Sequence, residues 1–339
     1  MQPRVFDEAP KLDDLDLALI EALRENAKAS NTELADKLGV AKRTVASRIT
    51  RLAKKRVMRV TATFDIQGAG FSNLSIVTIR VNGRLVEDVA RDLVRMPETT
   101  SVQSVLGSCE LHVTLVSRDW QHLIELVEKH MGRIKGISDI RCEQVLTTRA
   151  LRTDLGVLRE ELDDETPRKF FDAMDRSDVG AGLDELDRLL IVRLQENGRT
   201  PLTQIAREAD VSEGTVRFRL KRLEKDKRLR VSTVVDAVSV GFSSNAYIAL
   251  SVNHAYLNQI ADALAKMRQV SLVAITLSHA DIWACAMGRT RAELASIIQD
   301  QICLLPGMRF VDTFHVVHLF KHDYRWNMRL AGSEGPDTD

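Results

Sequence analysis

The chain repeats itself. Displaced by 171 residues, the sequence aligns on itself without gaps, and residues 12–60 retain 20 identities in 49 positions. Leu12-Asp13 and Leu15-Asp16 lie over Leu183-Asp184 and Leu186-Asp187. Thr44-Val45, Arg48 and Arg51-Leu52 lie over Thr215-Val216, Arg219 and Arg222-Leu223. The register persists at Asp65 over Asp236, Gly70-Phe71 over Gly241-Phe242 and Gly136 over Gly307. The period is too long for a solenoid, whose repeats run to roughly 20–50 residues. The chain is therefore two homologous modules in tandem, each of roughly 140 residues, and both must be served by one fold.

Each module divides again. Residues 12–60 and 183–231 read as helical heads, and residues 61–152 and 232–325 as larger mixed domains. Residues 1–11 and 326–339 read as tails. Residues 153–182 read as a linker: from Asp154 to Asp187 there are 12 acidic and 4 basic residues. Arg168 to Arg176 has the pattern of an amphipathic turn around Phe170, Phe171 and Met174.

In the first head, Leu15, Leu19, Ala22 and Leu23 recur at helical spacing. A second helix runs through Leu34, Ala35 and Leu38 and ends at Gly39, which accepts a left-handed turn. A third helix runs from about Ala41 to Lys54. Two helices joined by a short glycine turn, the second rich in base, form a helix-turn-helix signature. The second head repeats it over Leu186–Glu196, Leu202–Ala209 and Ser212–Glu224, with Ser212 as a natural N-cap.

Charge on the third helices points to DNA. Whole-chain charge is zero, with 48 basic and 48 acidic residues, and a uniformly neutral chain argues against a nucleic-acid binder. The balance is uneven, however. Lys42, Arg43, Arg48, Arg51, Lys54, Lys55, Arg56 and Arg59 fall between Ala41 and Arg59, with no acid among them. At 100° per residue, Val45, Ile49 and Leu52 face inward, and Arg43, Ser47, Thr50 and Arg51 face outward. Such a helix fits the major groove, where arginine bonds guanine and hydroxyls bond several bases. Lys54, Lys55, Arg56 and Arg59 suit phosphates, which position without specifying. In the second head the outward face is Gly214, Phe218, Lys221 and Arg222, flanked by Arg217 and Arg219. Phe218 either meets a thymine methyl or packs on a neighbouring domain. The DNA-contacting set is thus Lys42, Arg43, Thr44, Ser47, Arg48, Thr50, Arg51 and Lys55 with Ser212, Thr215, Arg217, Phe218, Arg219, Lys221 and Arg222. The two surfaces differ, so the expectation is that they read non-identical half-sites of double-stranded DNA.

The remainder of each module reads β-α-β-β-α-β. In the first module the strands are Leu74–Val81, Thr99–Leu106, Leu111–Ser117 and Ile137–Thr147. In the second they are Ala246–Val252, Ser271–Leu277, Ile282–Met287 and Arg309–Leu319. This is the ferredoxin-like split motif, an α+β fold with helices on one face of each sheet. The other face needs a partner, and a second such sheet in the same chain supplies one.

Little else suggests chemistry. Cys109, Cys142, Cys285 and Cys303 form no Cys-x-x-Cys pair, so they read as reduced, structural thiols. His315, His318 and His322 lie near the last strand, but residues i and i+3 on a strand point to opposite faces, so they read as satisfied or exposed histidines rather than a metal site. Asp13, Asp14 and Asp16 sit at a helix start, where acids complement the dipole. No metal or cofactor is called for. No signal core and no apolar run near ~18 residues is present, so a cytoplasmic protein outside the membrane is expected.

With its Leu12-Asp13-x-x-Asp16 and Leu183-Asp184-x-x-Asp187 openings, the chain resembles the Lrp/AsnC (feast/famine) family of transcriptional regulators. Glu33-Leu-Ala35, Val211-Ser-Glu-Gly-Thr-Val216, Gly107-x-x-Glu110, Lys135-Gly-Ile137 and Leu305-Pro-Gly-Met308 carry the resemblance further. It implies a DNA-binding regulator that assembles at least as a homodimer. It also implies a small-molecule effector, an amino acid or related metabolite, at the turn between the second and third strands. Those turns are Gly107, Ser108, Cys109 and Glu110 in one module and Ser278, His279, Ala280 and Asp281 in the other. They depart from the family's usual Gly-x-Tyr/Phe-Asp, and two modules per chain also depart from its usual one. The rival is an enzyme: siroheme decarboxylases are similar in fold and also occur as fused pairs. Their His-Asn-Tyr-x-Arg and Asn-Leu-Trp-Phe stretches are missing from Ser101–Val113 and Ser271–Trp283. A ligand-sensing scaffold without DNA binding is a third reading, opposed by the basic helix in both heads.

Overall fold

A computed structural model of the chain describes residues 4–5, 11–55, 57–64, 72–151, 183–226 and 228–322. The linker 153–182, the tail 326–339, most of the tail 1–11, Arg56, Lys227 and the Phe170–Met174 turn lie outside them. The first head contains α1 (Asp14–Glu25), α2 (Asn31–Leu38) and α3 (Lys42–Lys54). Its start is set by Asp13, whose carboxylate accepts the Asp16 amide while Asp16 reaches back, a reciprocal cap. Ser30 and Glu33 cap α2 in the same way. Gly39 closes α2 at φ +65°, as its lack of a Cβ allows. The second head contains α6 (Glu185–Glu196), α7 (Leu202–Glu208) and α8 (Glu213–Lys225), capped by Asp184 and Ser212. Here Asp210, the counterpart of Gly39, takes the left-handed turn at φ 52°.

After a two-residue strand β1 (Arg4–Val5), the first module supplies β2 (Met58–Phe64), β3 (Asn73–Val81), α4 (Val86–Val94), β4 (Thr99–Leu106), β5 (Leu111–Ser117), α5 (Trp120–Glu125) and β6 (Ile137–Leu151). The second supplies β7 (Leu229–Val235), β8 (Ser244–Val252), α9 (Leu257–Lys266), β9 (Val270–Thr276), β10 (Ile282–Gly288), α10 (Arg291–Ser296) and β11 (Met308–His322). The β-α-β-β-α-β order expected from the sequence is present twice.

The two sheets meet at their edges rather than by simple stacking. Strand order runs β11-β4-β5-β3-β6-β9-β10-β8 and returns to β11, with every pair antiparallel. The eight strands therefore close into a barrel. Closure depends on two long strands. The first half of β6 pairs β3 in its own module, and its second half pairs β9 in the other. Similarly, β11 pairs β8 and then crosses to β4. Each crossing carries register shifts, which bend the strand into the neighbouring sheet. Closing the ring removes the edges that each half-sheet would otherwise expose.

Period-two alternation splits the side chains between two cores. Val77, Ile79, Val113 and Leu115 face outward under α4 and α5, and Phe320 of the other module's β11 joins them. Ile248, Leu250, Ile282 and Ala284 face α9 and α10, joined by Ala150 of β6. Ile76, Val105, Cys109, Tyr247, Trp283, Cys285 and Phe314 fill the barrel interior.

The heads are exchanged between modules as well. The strand following each third helix starts in its own head's core, with Met58 in the first and Leu229 in the second, and then pairs across modules. β2 pairs β7 antiparallel, from Met58 opposite Val235 to Phe64 opposite Leu229. The first head's core of Leu19, Ile20, Leu23, Leu34, Val45 and Leu52 is completed by Val235, Phe242 and Met287. The second head's core takes in Ala62. Thr61 Oγ1 donates to the Gln195 carbonyl at 2.8 Å, and Thr233 Oγ1 donates to that of Leu23 at 2.7 Å.

Candidate nucleic-acid interface and inter-module turns

Helix α3 buries Val45 and Leu52 and exposes Lys42, Arg43, Ser47, Thr50, Arg51 and Lys55. Helix α8 buries Val216, Leu220 and Leu223 and exposes Ser212, Thr215, Arg217, Phe218 and Lys221. Thr44, Arg48, Arg219 and Arg222 are half-buried. Phe218 is 67% exposed, so it does not pack on a neighbouring domain.

The arginines are not all alike. Arg48 Nη1 donates to Asp13 Oδ2 at 2.6 Å and to Asp16 Oδ1 at 2.8 Å, and Arg51 Nη2 also bonds Asp16. Asp16 is only 1% exposed. In the second head, Arg219 pairs with Asp184 at 2.6 Å, and both Arg219 and Arg222 reach the fully buried Asp187. The side-chain bond from Arg48 holds the Asp13 carboxyl below its ordinary range and raises the guanidinium in return. The Asp16 amide lies second in lowering Asp13. A pair of arginines on each third helix is therefore anchored to the first helix, which fixes the angle between them. The sequence reading gave Asp16 only a capping role. The retained Asp16–Arg48–Arg51 spacing in Asp187–Arg219–Arg222 was the available signal. The open face of α3 is left to Lys42, Arg43, Ser47 and Thr50.

The heads also hold each other. Arg199 Nη1 donates to the carbonyls of Ala27 at 3.3 Å and Ala29 at 2.7 Å, and its Nη2 donates to Asn31 Oδ1 at 2.8 Å. Lys28, the counterpart of Arg199, pairs with Glu224. Together with the β2–β7 ribbon, these bonds make the two heads one unit.

The two candidate effector turns sit at the seams between modules. In the first, Gly107 and Ser108 are exposed, Cys109 is buried in the barrel and Glu110 is half-buried. A side chain at Gly107 would meet the Thr313 carbonyl oxygen at 2.9 Å, and Ser108 Oγ donates to Asp312 Oδ2 at 3.0 Å. In the second, Ser278 and His279 are exposed, Ala280 is buried and Asp281 is half-buried. Its Ala280 amide donates to Glu143 Oε2 at 3.3 Å. Each turn thus rests on the last strand of the other module. The acids at their fourth positions act as staples: Glu110 accepts the Val81 amide and Asp281 that of Val252, each at 2.8 Å. Burial pushes the Cys109 thiol up to about 12, with Glu110 adding to the rise. It is therefore an inert core group, as the sequence suggested for the thiols.

Sequence reasoning missed the polar cluster inside the barrel. His112 stacks on Tyr247 at a centroid distance of 3.7 Å, and Trp283 lies 5.4 Å away. Gln103 Nε2 donates to Tyr247 Oη at 2.9 Å, and Trp283 Nε1 donates to Glu143 Oε2 at 2.9 Å. Neither ring nitrogen of His112 has a hydrogen-bond partner, and burial drives its pKa down to about 3. The module-one side of the interior is polar and the module-two side aromatic. Only the alternation of β5 hints at His112, which shares a face with no other titratable side chain in that strand. Among the described residues, no cluster of His, Cys, Asp or Glu has the grouping to hold a metal ion, and no helix is long and apolar enough to cross a membrane.

Comparison with known proteins agrees with this architecture. An AsnC-type helix-turn-helix domain matches residues 12–53 and again 183–224. The Lrp/AsnC ligand binding domain matches residues 74–155, and a C-terminal dimeric alpha+beta barrel domain matches residues 238–329. An uncharacterized HTH-type transcriptional regulator of Pyrococcus abyssi is 30% identical over 143 residues, 42% of this chain and 90% of the relative. The HTH-type transcriptional regulator FL11 of Pyrococcus furiosus is 28% identical over 147 residues, 43% of this chain and 97% of the relative. Each relative spans about one module. Among solved structures, the siroheme decarboxylase NirDL has a TM-score of 0.63 at 14% identity, covering 93% of this chain and 97% of its own. At that identity the likeness shows a shared fold alone. With helix-turn-helix and ligand-binding matches in the order that the two modules dictate, the chain belongs to the Lrp/AsnC family of transcriptional regulators, two of whose modules it joins in tandem.

Proposed function

We propose that the protein binds specific double-stranded DNA through α3 and α8 and adjusts that binding to a small effector, an amino acid or related metabolite. The observation that carries this reading is the pair of outward basic helices held on one ribbon. Phosphate contacts fall to Lys54 and Lys55 at the C-terminal end of α3. Base contacts fall to the open faces. Effector binding at 107–110 or 278–281 bears on two modules at once, because each turn rests on the other's last strand. A contiguous path leads from there to a head: β10 begins at the second turn and ends near Met287, part of the first head's core. A ligand that favours one arrangement of this path changes DNA affinity by its differential binding to the two arrangements. Assembly of two chains, each engaging its own site, belongs to this reading, and sedimentation showing only monomers of the free protein would count against it.

Electrophoretic mobility of the gene's own upstream DNA, with and without compounds that raise melting temperature in a metabolite screen, tests the proposal. Retarded DNA whose midpoint moves with such a compound is expected. Absence of retardation, with Arg43→Ala indistinguishable from the parent, overturns it. A siroheme decarboxylase shares the fold over its full length, so a rival enzymatic reading is open to test. Buried Tyr247, Trp283 and Phe314 fill the barrel interior and oppose it. Porphyrin absorbance changes followed by decarboxylation would establish the rival.

A further inference from the structure

The two reading helices share their anchoring residues and differ over much of the face that meets solvent. Superposed by the 171-residue offset, the anchoring arginines and two inward pairs are identical (Val45 with Val216, Arg48 with Arg219, Arg51 with Arg222 and Leu52 with Leu223), and the third inward pair, Ile49 with Leu220, stays aliphatic. Five outward pairs differ: Lys42 with Glu213, Arg43 with Gly214, Ala46 with Arg217, Ser47 with Phe218 and Thr50 with Lys221, while Thr44 with Thr215 and Lys54 with Lys225 are retained. These changes alter the chemistry at each position. The first face offers two cationic donors and two hydroxyls. The second offers an ion pair between Glu213 and Arg217, a bare backbone at Gly214 and an exposed aromatic ring.

We propose that one chain reads a single, non-palindromic operator and binds it in one orientation. This rests on the reading of the chain as a DNA-binding regulator. The half-site under α3 contains a guanine whose O6 and N7 accept from Arg43, with neighbouring bases met by Ser47 and Thr50. The half-site under α8 contains a thymine whose methyl group meets Phe218. Glu213 holds Arg217 in place or accepts from a cytosine amino group beside that thymine. Orientation follows from the frame. The β2–β7 ribbon and the Arg199 clamp fix the heads to each other, so turning the chain around on the duplex sets both unlike faces over the wrong half-sites at once. The shared arginine anchors give both heads the same docking angle. Their different outward residues supply the base preference.

Selection from randomised duplex DNA with the full chain tests this. The expected consensus lacks two-fold symmetry, and it binds roughly tenfold or more tightly than palindromes built from either half alone. A full-chain variant carrying Glu213→Lys, Gly214→Arg, Arg217→Ala, Phe218→Ser and Lys221→Thr gives the second helix the first helix's outward face. Its expected consensus becomes an inverted repeat of the guanine-containing half. Phe218→Ala alone is expected to lose discrimination at one position of one half and to leave the other half unchanged. A palindromic consensus from the parent chain, or a five-residue variant that keeps the parent's consensus while melting at the parent's temperature, overturns the inference. Failure to enrich any sequence from the parent overturns the DNA-binding reading beneath it.

Discussion

Glu143 of the first module accepts a hydrogen bond from the indole of Trp283 of the second, at 2.9 Å, inside the barrel that the two modules share. Both groups are buried. Removing the carboxylate strands the indole N–H and the Ala280 amide. Glu143→Ala is expected to lower unfolding free energy by about 2–3 kcal/mol. Glu143→Gln keeps an acceptor and is expected to cost under about 1 kcal/mol. Urea unfolding separates the two, and equal losses would refute the assigned role.

Asp16 divides the arginines of α3 into two classes. Arg51 bonds it, but with a side chain 43% exposed the pair is screened. Arg51→Ala is expected to cost about 1 kcal/mol of stability, and Asp16→Ala about 2 kcal/mol because Arg51 loses its buried acceptor and Arg48 keeps only Asp13. Arg43→Ala is expected to leave melting unchanged and to relax base preference. Thermal melts beside binding measurements check the division. A stability loss at Arg43 to match that at Arg51 would contradict it.

His112 makes the fold sensitive to acid. Burial holds its folded pKa at about 3 against an ordinary 6.5, so the unfolded chain binds the proton first. Its contribution is complete above pH 6.5 and is lost as pH falls from there toward about 3. The steepest loss approaches 1.4 kcal/mol per pH unit. His112→Phe is expected to flatten the stability profile between pH 6.5 and 5, before most carboxylates titrate. Parallel profiles for the two proteins would count against this assignment.

Asp210 occupies a left-handed turn that Gly39 occupies in the first head. A side chain in that conformation costs roughly 1 kcal/mol, which glycine avoids. Asp210→Gly is expected to raise stability by about that amount without altering DNA affinity. A lower denaturation midpoint in urea would show that Asp210 has another role.

Phosphate contact makes affinity depend on salt. With about eight phosphates neutralised, log affinity should fall against log salt with a slope near −7. Lys55→Ala should weaken binding to all sequences alike and make the slope shallower by about one unit. A flat profile would rule out phosphate-driven association.

The duplication, the helix-turn-helix heads and the β-α-β-β-α-β order were legible because each rests on local signals. Gly39, Ser212 and the spacing of Leu15, Leu19 and Leu23 specify their turns and helices without reference to distant residues. The exchange of β2 and β7 was not legible. Met58 reads the same whether it pairs a strand of its own head or Val235, and only packing decides. The crossing of β6 was likewise hidden, since a 15-residue strand shared by two sheets has the same alternation as a strand in one. The outward positions of α3 followed from helical geometry, but the anchoring of Arg51 depends on Asp16, 35 residues away in the chain. Interior residues such as His112 and Trp283 gave no sign because their partners come from the other module.

Val235, Phe242 and Met287 complete the core of a head whose own helices end at Lys54. Ribosomal synthesis therefore produces the first reading helix early and finishes its support late. The head that emerges first is among the last parts to be completed. A prematurely terminated product carries α3 anchored to Asp13 and Asp16 but with its head's core left open where Val235, Phe242 and Met287 belong. Completion of the second module acts as a check on the first.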